Sequence, residues 1–257
     1  MNGAFYVGAT GLQAQQTGLE AIANNVANVN TNTFKRTEVR FSELVMQSQA
    51  RTEPDRPPVS APISLTGVEP QRAIRVMQQG DLRQTGKTFD LAIDGDGFIE
   101  VLGPGGQTWL WRGGGFKVGI DGLIETESGL PLKALIEIPD TVTDVRIDRD
   151  GRVTGLAAGQ EDPIELGELT IALPEDVSSI EAVGEGFYRV PDGVELRVLE
   201  PGEDGKGVLV QGSIEASNVE LTTEIVGLLL AQRAYAANAQ VVQAGDQLMA
   251  IANGLRR

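Results

Sequence analysis

The sequence predicts an α+β chain: long N- and C-terminal helices packed as a coiled-coil-like pair, a central irregular all-β domain and an extended proline-rich connector. Three observations predict it. Apolar residues recur at helical spacing over both ends, short apolar runs separated by Asp-Gly and Gly-rich turns fill the middle, and nearly all of the net charge lies in that middle. The expected divisions are a helical domain made of residues 1–36 and 218–257, a connector over 37–70 and a β domain over 71–217.

Residues 3–30 read as a helix because Phe5, Leu12, Leu19 and Val26 repeat every seven residues, with Ile22 and Val29 on the adjoining line and no proline between. The intervening Ala, Gly, Gln and Asn side chains let helices approach closely without charge. Gly8, Gly11 and Gly18 each cost about 1 kcal/mol of helix stability relative to alanine. A helix of this composition is marginal alone, and the expectation is that it orders only against partners. Over residues 37–70, Pro54, Pro57, Pro58, Pro62 and Pro70 preclude a continuous helix and favour extended backbone, while FSELVMQSQ leaves room for a turn of helix or a strand. Runs such as LAI, FIEV, TWLW, ALIEI, LTIAL and FYRV then mark short strands.

The C-terminal stretch 218–255 carries two apolar rows. Gly227, Leu230, Ala234, Ala237, Val241, Ala244, Leu248, Ile251 and Leu255 alternate in steps of three and four, the seam of a helix packed lengthwise on another. Leu221, Leu228, Tyr235, Val242 and Met249 follow in steps of seven on a neighbouring face. Two faces imply more than one neighbour, because a surface helix needs only one stripe.

The net charge of −15 is unevenly placed. Residues 1–36 hold Glu20 against Lys35 and Arg36, and residues 218–257 hold Glu220, Glu224 and Asp246 against Arg233, Arg256 and Arg257, leaving −16 on residues 37–217. An acidic, solvated middle repels nucleic acid and anionic lipid. The absence of cysteine excludes disulfides and thiolate metal sites, and the absence of histidine removes the usual general base near neutral pH. No membrane span is expected, and the N-terminus has neither a basic leader nor an apolar signal core. Neither catalytic residues nor a metal or cofactor is expected.

Three stretches imitate ligand sites. Asp94-Gly95-Asp96-Gly97 and Asp148-Arg149-Asp150-Gly151 resemble the start of a calcium loop, but Gly159 stands where the second needs its bidentate Glu, so hairpin turns are expected. The same carboxylates would suit a glycosidase pair, yet nothing marks a cleft between them. Gly113-Gly114-Gly115 lacks the Lys-Ser/Thr ending of a phosphate loop and reads as a turn between strands. Trp109 and Trp111 share one strand face and read as core.

Residues 24–36, NNVANVNTNTFKR, preceded by GATGLQAQQTGLEAIA, resemble the N-terminal signature of the bacterial flagellar rod and hook proteins, with Asn24, Asn25, Asn28, Phe34 and Lys35 in place. GSIEASNVELTTEIVGLLLAQRAYAANAQVV, residues 212–242, resembles the family's C-terminal signature through Glu215, Ser217, Asn218, Val219, Gln232, Arg233, Ala234 and Tyr235. QGDLRQTGKTFDLAIDGDGFI from Gln79 and GGFKVGIDGLIETESGLPL from Gly114 resemble the opening of its central domain. Together these motifs cover about half of the chain. Two departures stand out: Asn32-Thr33 replaces the family's Thr-Gly, so the turn is expected to be reshaped or carried by Asn32, and Ala236 replaces a Glu able to pair between subunits.

The resemblance implies a structural subunit of the flagellar basal-body rod, exported by the flagellar type III apparatus. The length and the Gly67-Val68 ahead of the domain look more like distal than proximal rod members. It further implies a helical homopolymer that contacts other rod proteins, the hook protein and the surrounding ring proteins. The self-assembly helices are expected to use Phe5, Leu12, Leu19, Ile22, Val26, Leu228, Leu230, Tyr235, Val241, Leu248 and Ile251. A proximal rod subunit, or an acidic extracellular β-domain binding module with a helical hairpin, are the alternatives.

Overall fold

The computed structural model describes residues 2–47, 63–159 and 162–254. The chain is α+β: helix α1 (Asn2–Ala27) opens it, helix α2 (Leu221–Gly254) closes it, and strands fill the interval. It divides into two units, one of residues 1–27, 37–76 and 220–257, the other of residues 28–36 and 77–219.

In the first unit the two helices run antiparallel. A Cβ built on Gly8 would lie 2.7 Å from Val242, one on Gly11 would lie 2.9 Å from the Asn238 amide, and one on Gly227 would lie 3.5 Å from Ile22. The glycines that weaken α1 as an isolated helix are therefore where α2 comes closest. Leu12, Leu19, Ile22 and Val26 are half-buried and Ala14 is buried. The Phe5 side chain lies outside the described residues.

The described parts of the segment expected to be an extended connector are strands. Strands β1 (Thr37–Gln47) and β2 (Ile63–Arg75) form a long antiparallel pair, from Thr37 opposite Arg75 to Gln47 opposite Ile63. Pro54, Pro57, Pro58 and Pro62 lie outside the described residues. Pro70 sits opposite Phe41 beside a register shift, where a missing N–H is tolerated in a strand. The backbone is extended, as proline dictates, but its polar groups are taken up by a neighbouring strand.

The second unit is built from short strands: β3 (Leu82–Gln84), β4 (Asp90–Asp94), β5 (Ile99–Leu102), β6 (Thr108–Trp111), β7 (Gly113–Val118) and β8 (Ile124–Thr126). They continue as β9 (Val142–Ile147), β10 (Arg152–Ala157), β11 (Ile164–Glu168), β12 (Ile171–Pro174) and β13 (Glu181–Gly184). The last are β14 (Phe187–Arg189), β15 (Leu196–Leu199), β16 (Val208–Gln211) and β17 (Ser213–Glu215). Two four-stranded sheets, in the orders β13-β14-β6-β5 and β16-β4-β7-β8, share a core of Leu91, Ile93, Val101, Trp111, Phe116, Ile171 and Phe187 with their neighbours. Trp111 stacks on Phe187 with ring centroids 6.3 Å apart, in accord with its reading as core.

Gly113-Gly114-Gly115 is not a turn. It opens β7 and pairs with Ala92, Leu91 and Asp90 of β4, and a Cβ on Gly113 would strike the Leu91 carbonyl at 2.7 Å. Asp148-Gly151 is the turn of the β9–β10 hairpin, closed by the Gly151 N–H donating to the Asp148 carbonyl at 3.1 Å. Among the described residues no three acidic side chains converge as a metal site.

Candidate assembly surface

In the first unit the apolar rows of α2 divide. Leu228 and Val242, with Gly227, Ala231 and Asn238, occupy the half-buried side that faces α1. Leu230, Val241, Leu248 and Ile251 lie roughly 120° round the helix and are 61, 51, 58 and 60 % exposed. Ile225 and Leu229 are exposed on a third face, and Tyr235 and Met249 are exposed although their spacing of seven puts them in line with Leu228 and Val242. Gln232 and Arg233 point to solvent, as do Tyr6 and Val7 of α1. Exposed apolar residues in a row along one helix exceed the scatter that a monomer surface carries.

Asn25 of α1, buried to 1 % exposure, clamps the start of β1 through both halves of its amide. Its Nδ2 donates to the Thr37 carbonyl at 2.9 Å, and its Oδ1 accepts from the Thr37 N–H at 2.8 Å. Nδ2 also donates to the buried Glu224 carboxylate at 3.2 Å. Sequence reading found Asn25 but not Glu224, which looks like any first-turn acid of a helix. Asn24 is exposed, and Asn28 supplies the carbonyl that accepts the Thr31 N–H at 3.1 Å and so closes the turn after α1.

In the second unit the remaining motif residues meet around one carboxylate. Glu215 is fully buried at the end of β17. Its Oε1 accepts from Lys35 Nζ at 2.5 Å and from the Gly80 N–H at 2.9 Å, while its Oε2 accepts from Arg112 Nε at 2.8 Å. Lys35 and Arg112 are only 1 and 4 % exposed. Burial outweighs the attraction of Glu215 and holds the Lys35 ammonium below its ordinary range, with Arg112 pushing the same way. Lys35 Nζ also donates to the Gln78 carbonyl at 2.9 Å. Arg112 completes its fork on the carbonyls of Gly95 and Gly97, both at 2.6 Å. The Asp94–Gly97 stretch that imitated a calcium loop thus aims two carbonyls at a guanidinium.

Asn218 repeats the amide clamp: its Oδ1 accepts from the Arg36 N–H at 2.6 Å, its Nδ2 donates to the Gln78 carbonyl at 2.8 Å, and its own N–H donates to the Phe34 carbonyl at 3.3 Å. Ser217 Oγ accepts from the Val219 N–H at 3.3 Å, and Val219 is buried. The turn ahead of Phe34 is carried by Thr33 rather than Asn32. Thr33 has φ +59°, a left-handed conformation costly for a β-branched residue, and its N–H donates to the Glu215 carbonyl at 2.8 Å. Arg112 is the member that sequence reading missed. Its only signal was a lone cation inside the apolar run TWLWR, next to a glycine triplet.

Comparison with known proteins bears on the same residues. The family described as "Flagella basal body rod protein" matches residues 5–35, "Flagellar hook protein FlgE/F/G D1 domain" matches 92–155, and "Flagellar basal body rod FlgEFG protein C-terminal" matches 210–255. A flagellar basal-body rod protein FlgG of Buchnera aphidicola is 36 % identical over 250 residues, 95 % of this chain and 96 % of its own. FlgG of Caulobacter vibrioides is 35 % identical over 255 residues, covering 96 % of this chain and 97 % of its own. A FlgF rod protein of the same organism is 31 % identical over 253 residues, or 94 and 93 % of the two chains. The chain belongs to the flagellar basal-body rod protein family and is most like the distal rod protein FlgG.

Proposed function

We propose that copies of this chain interlock through their terminal helices into a rigid helical tube that transmits motor torque to the hook. The chain is a structural subunit of the flagellar basal-body rod and not an enzyme. The observation that carries the tube reading is the exposed row Leu230, Val241, Leu248 and Ile251, laid along a helix whose other side already rests on α1. Apolar area left open on every copy is repeated at every copy, and a heterologous contact that does not close extends into a filament.

In this reading α1 and α2 pair as a coiled coil within each subunit, and residues 1–36 and 218–257 form the inner layer. Residues 37–70 brace neighbouring subunits, and the acidic domain 71–217 forms the outer layer. The self-assembly and motif residues named from the sequence take these places: Leu230, Val241, Leu248 and Ile251 contact other copies, while Asn25, Lys35 and Asn218 hold the backbone that presents them. Other rod proteins, the hook protein, ring proteins and the type III export apparatus are its partners. The test is Leu230→Lys with Leu248→Lys in the full-length chain, examined by electron microscopy and far-ultraviolet dichroism. Loss of filaments with unchanged helical signal is expected. Filaments of wild-type abundance would remove the row from the interface.

A further inference from the structure

We infer that copies pack side by side through the outer edges of the helix pair, with Arg233 on α2 of one copy meeting Glu20 on α1 of the next; this names a lateral contact of the self-assembly reading above and rests on it. Helix α1 holds one charged residue, Glu20, and α2 holds three, Glu224, Arg233 and Asp246. Glu224 is buried, so Arg233 is the one cation of either helix and Glu20 and Asp246 are their exposed carboxylates. Neither Arg233 nor Glu20 has an ion pair among the described residues. The Glu20 carboxylate accepts from the Gln16 amide one turn back on its own helix, at 3.1 Å.

The close approaches between the helices fix where these two charges stand. Gly8 meets Val242, Gly11 meets Asn238 and Gly227 meets Ile22, so residues whose numbers add to 249 or 250 lie level. Arg233 is therefore level with Gln16, one turn from Glu20, an offset of about 6 Å along the axes. At about 100° per residue, Glu20 lies roughly 150° round α1 from Gly8, Gly11 and Ile22, and Arg233 lies roughly 150° round α2 from Gly227, Asn238 and Val242. Viewed from one end of the antiparallel pair, both turn the same way from the line that joins the helices. Glu20 and Arg233 consequently stand at opposite ends of the pair and face in opposite directions.

One chain cannot bring these edges together, but a second copy moved along that line places its Glu20 beside the first copy's Arg233 at nearly the same height. Two different edges of opposite charge on every copy are what a head-to-tail contact requires. Val226, Leu229 and Ile251 flank Arg233 and are 52, 53 and 60 % exposed. A neighbour packed on that apolar edge expels water from around the guanidinium, and Glu20 is the one counter-charge that α1 offers. An exposed ion pair adds little affinity alone; inside an apolar contact it sets register, because a shifted neighbour leaves the guanidinium desolvated and unpaired. Asp246 lies roughly 140° round α2 from Arg233 and belongs to another side.

The test exchanges the charges in the full-length chain. Glu20→Arg alone, or Arg233→Glu alone, sets like charges together at every such contact and raises the critical concentration for polymerisation about tenfold or more. The chain carrying both substitutions polymerises within about threefold of wild type. Both side chains are exposed, so unchanged far-ultraviolet dichroism is expected of every variant and separates assembly from folding. As a second measurement, the chain has no cysteine, so Glu20→Cys protein mixed with Arg233→Cys protein is joined by a short bismaleimide in filaments, but not in dilute monomer and not when Asp246→Cys replaces Arg233→Cys. Single variants that polymerise like wild type, or a double variant no better than the single ones and no 20–233 crosslink, overturn the pairing and leave the tube reading intact. Wild-type chain that forms no filament under any condition overturns both.

Discussion

Replacing Glu215 by Gln removes the one negative charge that two buried cations share. The carboxylate uses Oε1 for Lys35 and the Gly80 N–H and Oε2 for Arg112. An amide keeps only one acceptor oxygen, so in either orientation its NH₂ meets a donor, Lys35 Nζ or Arg112 Nε. Two cations that are 1 and 4 % exposed then lack their counter-charge. Breaking a buried ion pair in this way costs about 3–5 kcal/mol. With a urea slope of about 2 kcal/mol per molar, the unfolding midpoint drops by about 1.5–2.5 M. The chain's only two tryptophans, Trp109 and Trp111, both lie in the strand-rich unit, so their fluorescence follows that unit alone. Pairing Glu215→Leu with Arg112→Met recovers part of the loss, because only Lys35 is then left without its counter-charge, where Glu215→Gln leaves both cations. A Glu215→Gln midpoint within about 0.5 M of wild type would refute the claim that this carboxylate holds the cluster together.

Two further outcomes follow from the same geometry. Lys35 in the folded chain has a depressed pKa, so between that value and the ordinary lysine value of about 10.4 the unfolded chain binds more protons and stability rises with pH. Urea midpoints taken from pH 7 to pH 10 should show that rise in wild type and lose it in Lys35→Met, whose Glu215 keeps Arg112. Gly8→Leu gains intrinsic helix propensity of about 1 kcal/mol but drives a side chain into Val242, already 2.7 Å from where a Cβ would stand. Amide exchange across α1 should therefore quicken; slower exchange would mean that propensity rather than close approach limits the helix.

Both helices were legible because a period of three and four survives without knowledge of any neighbour. What the period leaves open is which face meets which partner. The row beginning at Gly227 has the stronger pattern, yet its large members face solvent while Leu228 and Val242 face α1. Small residues on α1 explain the choice: Gly8 and Gly11 let the backbones come together only where α2 offers Val242 and Asn238. The β1–β2 pair was hidden for a different reason. Prolines announce extended backbone, but whether an extended segment is paired depends on a register between residues 16 to 38 apart, which local pattern does not contain. The ion cluster is more distant still. Lys35 and Glu215 were visible within motifs, but nothing local marks Arg112 as the third member, since residues 35, 112 and 215 meet only after folding.

The two asparagines show why motif residues of this kind are amides rather than charges. Asn25 donates to the carbonyl and accepts from the N–H of one residue, Thr37, and Asn218 accepts from Arg36 while donating to Gln78. Each side chain binds a backbone N–H and a backbone carbonyl at once, as a neighbouring strand does. Aspartate offers only acceptors, so the carbonyl of Thr37 or Gln78 would face a carboxylate, and a buried charge would need a counter-ion. An amide satisfies both backbone groups at no net charge. That choice accords with terminal segments that hold almost none of the chain's −15. In the tube proposed above, surfaces that stack copy against copy would repeat any like charge at each contact, whereas a domain on its outer side could carry it.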